Sequence, residues 1–291
     1  MSPFLATALA AAEAAEAVIR AHYKKAFEVR IKADASPVTE VDEAAEAAIK
    51  AVLRTAFPDH GFYGEETGWD RGRDRDGHDN ADAEYLWLVD PIDGTKAFVR
   101  GYPFFSTQIA LMKRDLSRPD AGAGELIVGV SRAPCYFGDG SGGVGAGECY
   151  YAERGAGAWQ VTAEGPQPLA VSDFTALNKS TLSLGNIASL CASPAWPRLG
   201  ALIPQLHRIR GYADFLHYHL LASGRIDACV ESNVNILDIA ALAVIVREAG
   251  GTFTELDGAP ITLATTTVLA SNGRLHESFR NAIAYPQGAT K

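Results

Sequence analysis

The amino-acid sequence predicts a mixed α/β protein whose first half is of the α+β kind and whose second half is of the α/β kind. Two helical patterns open the chain, at about residues 4–25 and 40–57, and short β-rich runs follow them. From about residue 172 onward, strand and helix patterns alternate. We therefore expect an N-terminal half over residues 1–172 and a C-terminal half over residues 173–291.

The individual elements follow from local patterns. The first helix is rich in alanine, and the second is expected to stop before Pro58. The predicted strands of the first half are residues 85–89, 106–112, 126–130 and 149–152. Segments 71–82 and 138–147 are rich in glycine and in small or charged residues, so we expect exposed loops there. The second half has predicted strands at 182–185, 226–230, 251–254 and 267–270, and predicted helices at 197–206, 215–222, 237–248 and 275–283.

Length and composition fit a globular protein. The chain has 291 residues, of which 47% are hydrophobic and 21% are charged. This length and hydrophobic content are enough for a large core. A net charge of -9 argues against a general binder of nucleic acid or of anionic membranes. Glu13 and Glu16 interrupt the first apolar run, so it predicts an amphipathic helix and not a signal peptide. The four cysteines show no metal-ligand spacing, and we expect a soluble, cytoplasmic protein.

One run of residues points to a metal site. Residues 87–95 read as a buried strand that ends in Asp90 and Asp93, followed by Gly94 and Thr95. Carboxylate oxygens suit Mg²⁺, and a helix that begins at Thr95 would present free N–H groups to a phosphate. The alternative is structural: an Asp-Pro turn followed by an Asp helix cap.

Four other acidic residues can likewise be interpreted either as site residues or as structural ones. Glu65 and Glu66 would repel each other if buried without a cation, but they are ordinary if exposed. Asp238 opens a predicted helix, where it could simply complement the helix dipole. Thr39 and Asp42 fit a capping box, which gives Asp42 a structural role of its own.

Taken together, these segments resemble the inositol monophosphatase family of lithium-sensitive, magnesium-dependent phosphatases. The segments that match are residues 64–66, 90–95, 237–241 and 248–251, with 37–42 similar to an early threonine-acid segment of the family. The resemblance spans about residues 32–255. One departure is Leu237, where the family usually has tryptophan, and this position concerns packing.

The resemblance implies a layered αβαβα sandwich of the inositol monophosphatase and fructose bisphosphatase type, commonly a homodimer, with two or three Mg²⁺ ions. It implies that Glu65, Asp90 and the carbonyl of Ile92 bind one ion. A second ion would be bound by Asp90, Asp93 and Asp238.

The resemblance also implies a mechanism of direct in-line attack on phosphorus by a water that the metal activates, without a covalent intermediate. The positions that match the surroundings of this water are Asp42, Glu66 and Thr95. The segment that matches the phosphate-facing backbone is Gly94, Thr95 and Lys96, and Asp93 is also expected to contact the substrate.

The substrate is expected to be a small phosphate ester. Glu231 lies seven residues before Asp238, the offset of the family's hydroxyl-binding glutamate. Residues 96–101, 106–111 and 210–215 look most like the histidinol-phosphatase branch, which serves histidine biosynthesis. A cationic amino-alcohol phosphate would suit an acidic pocket with Asp214 and Glu231.

Two alternatives remain at this stage. One is an inositol 1-phosphate phosphatase, and the other is a protein-interaction or transcription-associated factor on the same fold. His217 and His219 are assigned packing or surface roles outside the mechanism, on different faces of a helix because they are two residues apart.

Overall fold

The computed structural model describes residues 1–31, 37–73, 76–78, 80, 83–117, 122–136 and 147–286. The helices are α1 (Pro3–His22), α2 (Glu40–Ala56), α3 (Thr95–Val99), α4 (Ile187–Ala192), α5 (Trp196–Leu202), α6 (Asp214–Ala222), α7 (Ile236–Glu248) and α8 (His276–Ile283). The strands of the first half are β1 (Val29–Ile31), β2 (Pro37–Thr39), β3 (Gly61–Gly64), β4 (Gly68–Asp70), β5 (Tyr85–Asp93), β6 (Ser106–Arg114), β7 (Gly124–Ala133), β8 (Glu148–Glu153), β9 (Ala158–Thr162) and β10 (Gly165–Pro168). The strands of the second half are β11 (Thr181–Leu184), β12 (Arg208–Arg210), β13 (Ala228–Ser232), β14 (Thr252–Thr254) and β15 (Thr267–Ser271).

The strands form two large sheets and one short pair, β1 with β2. The first large sheet has the strand order β10-β9-β8-β7-β6-β5-β3-β4 and is antiparallel except where β3 pairs with β5. The second has the order β12-β11-β13-β15-β14, with β11 parallel to both of its neighbours. The chain therefore builds the first sheet before residue 172 and the second after it.

Alternate side chains of each sheet face different cores. In β5, Leu86 packs with α6 and α7, whereas Trp87 packs with α1 and α2 on the other face. In β13, Cys229 faces α6 and α7, whereas Val230 packs with α4, α5 and α8. The layers are thus helices, sheet, helices, sheet and helices, and the predicted αβαβα sandwich is confirmed.

The central layer explains the composition of α7. Almost every side chain from Ile236 to Val246 is buried, because the helix has a sheet on each side. A helix that is apolar all round is stable only in such a position. Since α6 and α7 belong to the second half but pack on the first sheet, the two halves share a core. The division at residue 172 stays a prediction.

The predicted helices and strands are present, with bounds that differ by a few residues. In the first half, β5 continues past residue 89 to Asp93, and β7 is longer than predicted at both ends. The predicted helix 197–206 is α5 followed by a 3₁₀ turn, Ile203–Gln205. The β9–β10 hairpin was not predicted, because its strands are short and β10 contains Pro166 and Pro168.

Two predicted loops lie largely or partly outside the described residues. Of segment 138–147 only residue 147 is described, and of segment 71–82 the described residues are 71–73, 76–78 and 80, most of which are exposed. In the part of the chain that the structure describes, no helix is long and apolar enough to cross a membrane.

Candidate metal and substrate site

A bulge at the end of β5 brings Asp90 and Asp93 together. Residues three apart in a regular strand point to opposite faces of the sheet. Here the pairing with β6 shifts register between Asp90 and Asp93, and the extra backbone lets both acids reach one place. The amide of Ile92 donates to Oδ1 of Asp90 over 2.9 Å, which fixes the bend.

Asp42 and Asp238 hold the same position in their helices. Each is the third residue of its helix and completes a capping box with the residue before the helix. The amide of Thr39 donates to Oδ2 of Asp42 over 2.8 Å, and the amide of Asn235 donates to Oδ2 of Asp238 over 2.9 Å. The box occupies one oxygen of each carboxylate. The capping role and a role in the site are therefore compatible, and two helix starts, those of α2 and α7, aim an acid at the same region.

Asp90, Asp93 and Asp238 form a compact acidic cluster. Each offers a carboxylate oxygen, and these oxygens all lie within 4.8 Å of one another. Asp90 is only 2% exposed, and the other two are partly buried. Burial, and then the charges of Glu65, Asp93 and Asp238, hold the pKa of Asp90 well above its usual range.

The same causes act on the other two acids. Burial and then Asp238 raise the pKa of Asp93 well above its usual range, and burial is the main cause that raises the pKa of Asp238 to about 7. Carboxylates arranged in this way destabilise one another until a proton or a cation is shared among them. An all-oxygen donor set with this need fits a hard divalent cation.

Glu65 and Glu66 lie in the turn between β3 and β4. The amide of Glu65 donates to the carbonyl of Val89 over 3.1 Å, which places this turn beside the end of β5. Glu65 itself lines a cavity at the acidic cluster, together with Asp90 and Asp238. The two glutamates are partly buried, and only Glu65 lines this cavity.

A residue that the sequence did not single out, Glu46, holds this turn. Its fully buried carboxylate accepts the amides of Glu66 and Thr67, each over 2.8 Å. A Cβ at Gly64 would lie 2.5 Å from that carboxylate, so this approach requires glycine. The available signal was spacing: Glu46 is four residues after Asp42 and lies on the same face of α2.

Gly94 and Thr95 connect β5 to α3. Gly94 has φ of 93°, and a Cβ there would lie 2.8 Å from the carbonyl oxygen of Phe104, so both its conformation and its surroundings favour glycine. The Thr95 hydroxyl lies 3.1 Å from Oδ1 of Asp42 and 3.1 Å from the carbonyl oxygen of Ile92. Thr95 therefore links the start of α2 to the end of β5.

Two adjoining cavities open at this cluster. The larger, of about 590 Å³, is lined by the predicted residues Glu65, Asp90, Ile92, Asp93, Gly94, Thr95, Lys96, Asp214 and Asp238. The smaller, of about 270 Å³, is lined by Asp93, Lys96, Asp214, Glu231 and Asp238 among others. Asp42 reaches this region through Thr95, and Glu66 follows Glu65 in the chain.

Glu231 and Asp214 form the acidic part of the smaller cavity. Glu231 is buried, and Tyr218 donates its hydroxyl to Oε2 over 2.9 Å. Burial and then the charge of Glu231 raise the pKa of Asp214 to about 6, while His217 lowers it. Asp214 is exposed to solvent, which screens this effect.

Of the packing or surface roles predicted for the two histidines, packing is the one that the structure shows. Both are fully buried, because α6 belongs to the central layer of the sandwich. His217 Nε2 lies 3.1 Å from Oε2 of Glu231, whereas His219 contacts Glu148 and Ser131. Their different faces were predicted correctly, but the contact of His217 with a predicted site residue was missed.

Comparison with known proteins identifies the family. The model of the inositol monophosphatase family matches residues 1–285, nearly the whole chain. The chain belongs to the inositol monophosphatase family. It is 35% identical over 279 residues to a histidinol-phosphatase of Mycobacterium tuberculosis, covering 94% of this chain and 95% of that protein. It is 31% identical over 291 residues to an inositol-1-monophosphatase of a Synechocystis species, covering 98% of this chain and 90% of that protein.

A solved structure agrees with the fold of this inositol monophosphatase family member. The crystal structure of the extragenic suppressor protein suhB from Bartonella henselae superposes with a TM-score of 0.77 at 26% identity, covering 99% of this chain and 100% of that one. The sequence comparisons therefore show a phosphatase of this family, and the solved structure shows its fold. Its acidic cluster has the composition and spacing to hold a metal ion.

Proposed function

We propose that this family member is a Mg²⁺-dependent phosphomonoesterase that hydrolyses histidinol phosphate. The observation that carries the proposal is the buried cluster of Asp90, Asp93 and Asp238 beside an acidic cavity. Because the cluster offers oxygen ligands alone, Mg²⁺ suits it. Two or three ions would be held, one by Glu65, Asp90 and the Ile92 carbonyl, and another by Asp90, Asp93 and Asp238.

Bound divalent cations would supply the positive charge that lowers the pKa of water and stabilises the phosphoryl and leaving-group oxygens. The protein's own groups position the reactants. The Thr95 hydroxyl, held between Asp42 and the Ile92 carbonyl, has an oxygen lone pair left to accept a hydrogen bond from a water. Glu66 would accept a proton nearby. The backbone of Gly94, Thr95 and Lys96 would donate to the phosphate.

The charge of the smaller cavity supports histidinol phosphate as the substrate. Four carboxylates and one ammonium, that of Lys96, line it. With Asp93 and Asp238 assigned to a cation, Asp214 and Glu231 are left to attract the amine of an amino alcohol. The relative from Mycobacterium tuberculosis that is named histidinol-phosphatase supports the same choice.

The second candidate is an inositol 1-phosphate phosphatase. It is supported by the Synechocystis relative named inositol-1-monophosphatase, and hydroxyl groups could also donate to Glu231. Asp214 and Glu231, the two carboxylates left for the substrate, favour a cationic leaving group over a neutral one. A role as a protein-interaction factor has less support, because a protein without phosphatase activity has no need to keep Glu65, Asp90, Asp93 and Asp238 around one cavity. We also propose a cytoplasmic homodimer.

The test is phosphate release from histidinol phosphate and from inositol 1-phosphate under identical Mg²⁺, with and without EDTA. We expect a higher kcat/KM for histidinol phosphate and no turnover in EDTA. Asp90→Asn should abolish turnover, whereas Asp173→Asn, an exposed acid outside the site, should not. A higher kcat/KM for the inositol ester would replace the substrate, and turnover that persists in EDTA would contradict the metal dependence.

A further inference from the structure

The Glu231 carboxylate is held from one side only. Tyr218 OH donates to Oε2 over 2.9 Å, and His217 Nε2 lies 3.1 Å from the same oxygen. Both partners come from consecutive residues of α6, and both are buried. Burial and the charge of Glu231 raise the pKa of Tyr218 well above its usual range, so its hydroxyl stays protonated and donates.

The other side of the His217 ring contacts Ser183. The amide of Tyr212 donates to Ser183 Oγ over 3.2 Å, and this oxygen lies 3.4 Å from His217 Nδ1. With its oxygen accepting from Tyr212, Ser183 can donate its own proton to Nδ1. Because a carboxylate oxygen can only accept, His217 bonds to Glu231 through a proton on Nε2. This series of contacts, from Tyr212 through Ser183 and His217, thus ends at Oε2 of Glu231.

The second oxygen of Glu231 is in a different situation. A Cβ at Gly185 would lie 2.2 Å from Oε1, so the absence of a side chain at residue 185 makes the room that this oxygen occupies. Among the described residues, no hydrogen-bond donor to Oε1 is found, although Glu231 is only 7% exposed. Because Glu231 lines the smaller cavity and Oε1 has no donor from the described residues, a ligand in that cavity can donate to this oxygen in place of water.

We propose that His217 and Tyr218 are positioning residues, which fix Glu231 so that Oε1 accepts a hydrogen bond from the leaving group of the substrate. The pair would select esters whose leaving group carries a donor near the ester carbon, above all an ammonium group. This selection rests on the proposed phosphatase function and deepens it. Neither residue touches the reacting phosphate in this assignment.

The experiment compares two substrates that differ by one group. The first is histidinol phosphate, and the second is 3-(imidazol-4-yl)propyl phosphate, which has hydrogen in place of the amine. The preference of the wild-type enzyme is the ratio of its kcat/KM values for the two esters. We expect His217→Leu and Tyr218→Phe each to lower this ratio by about tenfold, the usual effect of losing one hydrogen bond to a charged group. The loss should fall on KM for histidinol phosphate and not on kcat.

Three further variants separate positioning from general damage. His217→Gln, whose amide can donate from nearly the position of Nε2, should restore most of the ratio. Gly185→Ala removes no polar group but displaces Oε1, so it should lower the ratio as His217→Leu does. His207→Leu replaces an exposed histidine and should leave the ratio unchanged. Thermal unfolding identifies any variant that does not fold. If His217→Leu fails to fold, Tyr218→Phe, which loses only one oxygen atom, still tests the proposal.

The outcomes distinguish this proposal from the proposed function. An unchanged ratio in Tyr218→Phe and in His217→Leu would overturn the positioning role, even if the wild-type enzyme prefers histidinol phosphate. Equal losses for both esters through kcat would also overturn it. If the wild-type enzyme instead prefers inositol 1-phosphate, the proposed substrate is wrong, and the ratio of that ester to phenyl phosphate tests the same pair. The positioning role then requires that ratio to fall about tenfold.

Discussion

The Thr95 hydroxyl lies 3.1 Å from Oδ1 of Asp42, a residue 53 positions earlier in the chain. The other oxygen of Asp42 accepts from both the amide and the hydroxyl of Thr39, over 2.8 and 2.5 Å. Asp42 is fully buried, and burial is the main cause that raises its pKa above the usual range. The carboxylate is therefore fixed by a helix cap on one side and free to orient one hydroxyl on the other.

We expect Thr95→Val to lower kcat by about 10²-fold or more, because the hydroxyl that would orient the attacking water is lost while the side-chain volume is kept. Thr95→Ser keeps the hydroxyl and should retain most of the activity. Steady-state phosphate release at saturating Mg²⁺ measures both. The matched control is Thr55→Val, at an exposed position of α2. Normal kcat in Thr95→Val would remove Thr95 from the mechanism.

Glu46 should matter for metal affinity without contacting the metal. It accepts the amides of Glu66 and Thr67 and so holds the turn that carries Glu65. In Glu46→Gln one of these acceptors becomes an N–H donor that faces another N–H. We expect the Mg²⁺ concentration for half-maximal activity to rise by about 10- to 100-fold, as when an outer partner of a ligand is lost.

The control for this change is Glu43→Gln, an exposed glutamate on the same helix. Its Mg²⁺ dependence should match that of the wild-type enzyme. A Glu46→Gln enzyme that loses kcat at saturating Mg²⁺, with an unchanged Mg²⁺ requirement, would instead place Glu46 in catalysis.

The sequence predicted those parts of the site that sit in continuous segments. The end of β5 was predicted as a site because two acids follow a buried strand. Asp238 was predicted as a site residue because it lies at the start of an apolar helix. For Asp42 and Asp238 the structural and functional interpretations looked exclusive, yet a capping box uses one carboxylate oxygen and leaves the other. Each acid can therefore have both roles.

The parts that were missed depend on contacts between distant segments. Glu46 acts on a turn 20 residues later, and His217 acts on a glutamate 14 residues later. The local sequence around a buried polar residue in a helix does not indicate which distant residue it contacts. Burial of His217 also depends on α6 lying between two sheets, which is a property of the whole fold.

The stability of the metal-free protein should depend on pH through Asp238. Its pKa is raised to about 7 in the folded protein, against about 3.9 in an unfolded chain. The folded state thus binds this proton more tightly, so its stabilising contribution is complete below about pH 4 and is lost as pH rises through about 7. Asp90 and Asp93, whose pKa values are also raised, act in the same direction.

Urea unfolding in EDTA at pH 5 and at pH 8 measures this dependence. We expect a lower free energy of unfolding at pH 8, and a smaller difference between the two pH values in Asp238→Asn. Asp173→Asn, the exposed control, should leave the difference as in the wild-type protein. Equal stability at both pH values would show that the cluster is not strained in the metal-free protein.

The acidic cluster should lower the stability of the metal-free protein, although its carboxylates are needed for activity. Asp90→Asn keeps the shape of the side chain and the oxygen that accepts the Ile92 amide, but removes one of several mutually repelling charges. In EDTA at pH 8 we expect it to raise the free energy of unfolding by about 1–3 kcal/mol, while phosphate release is abolished. Added Mg²⁺ should stabilise the wild-type protein, by about 2.7 kcal/mol at a hundred times its Kd, and should stabilise Asp90→Asn far less. Thermal unfolding with and without Mg²⁺ tests both effects, and an Asp90→Asn protein less stable than wild type in EDTA would mean that packing and hydrogen bonds at this residue outweigh the repulsion.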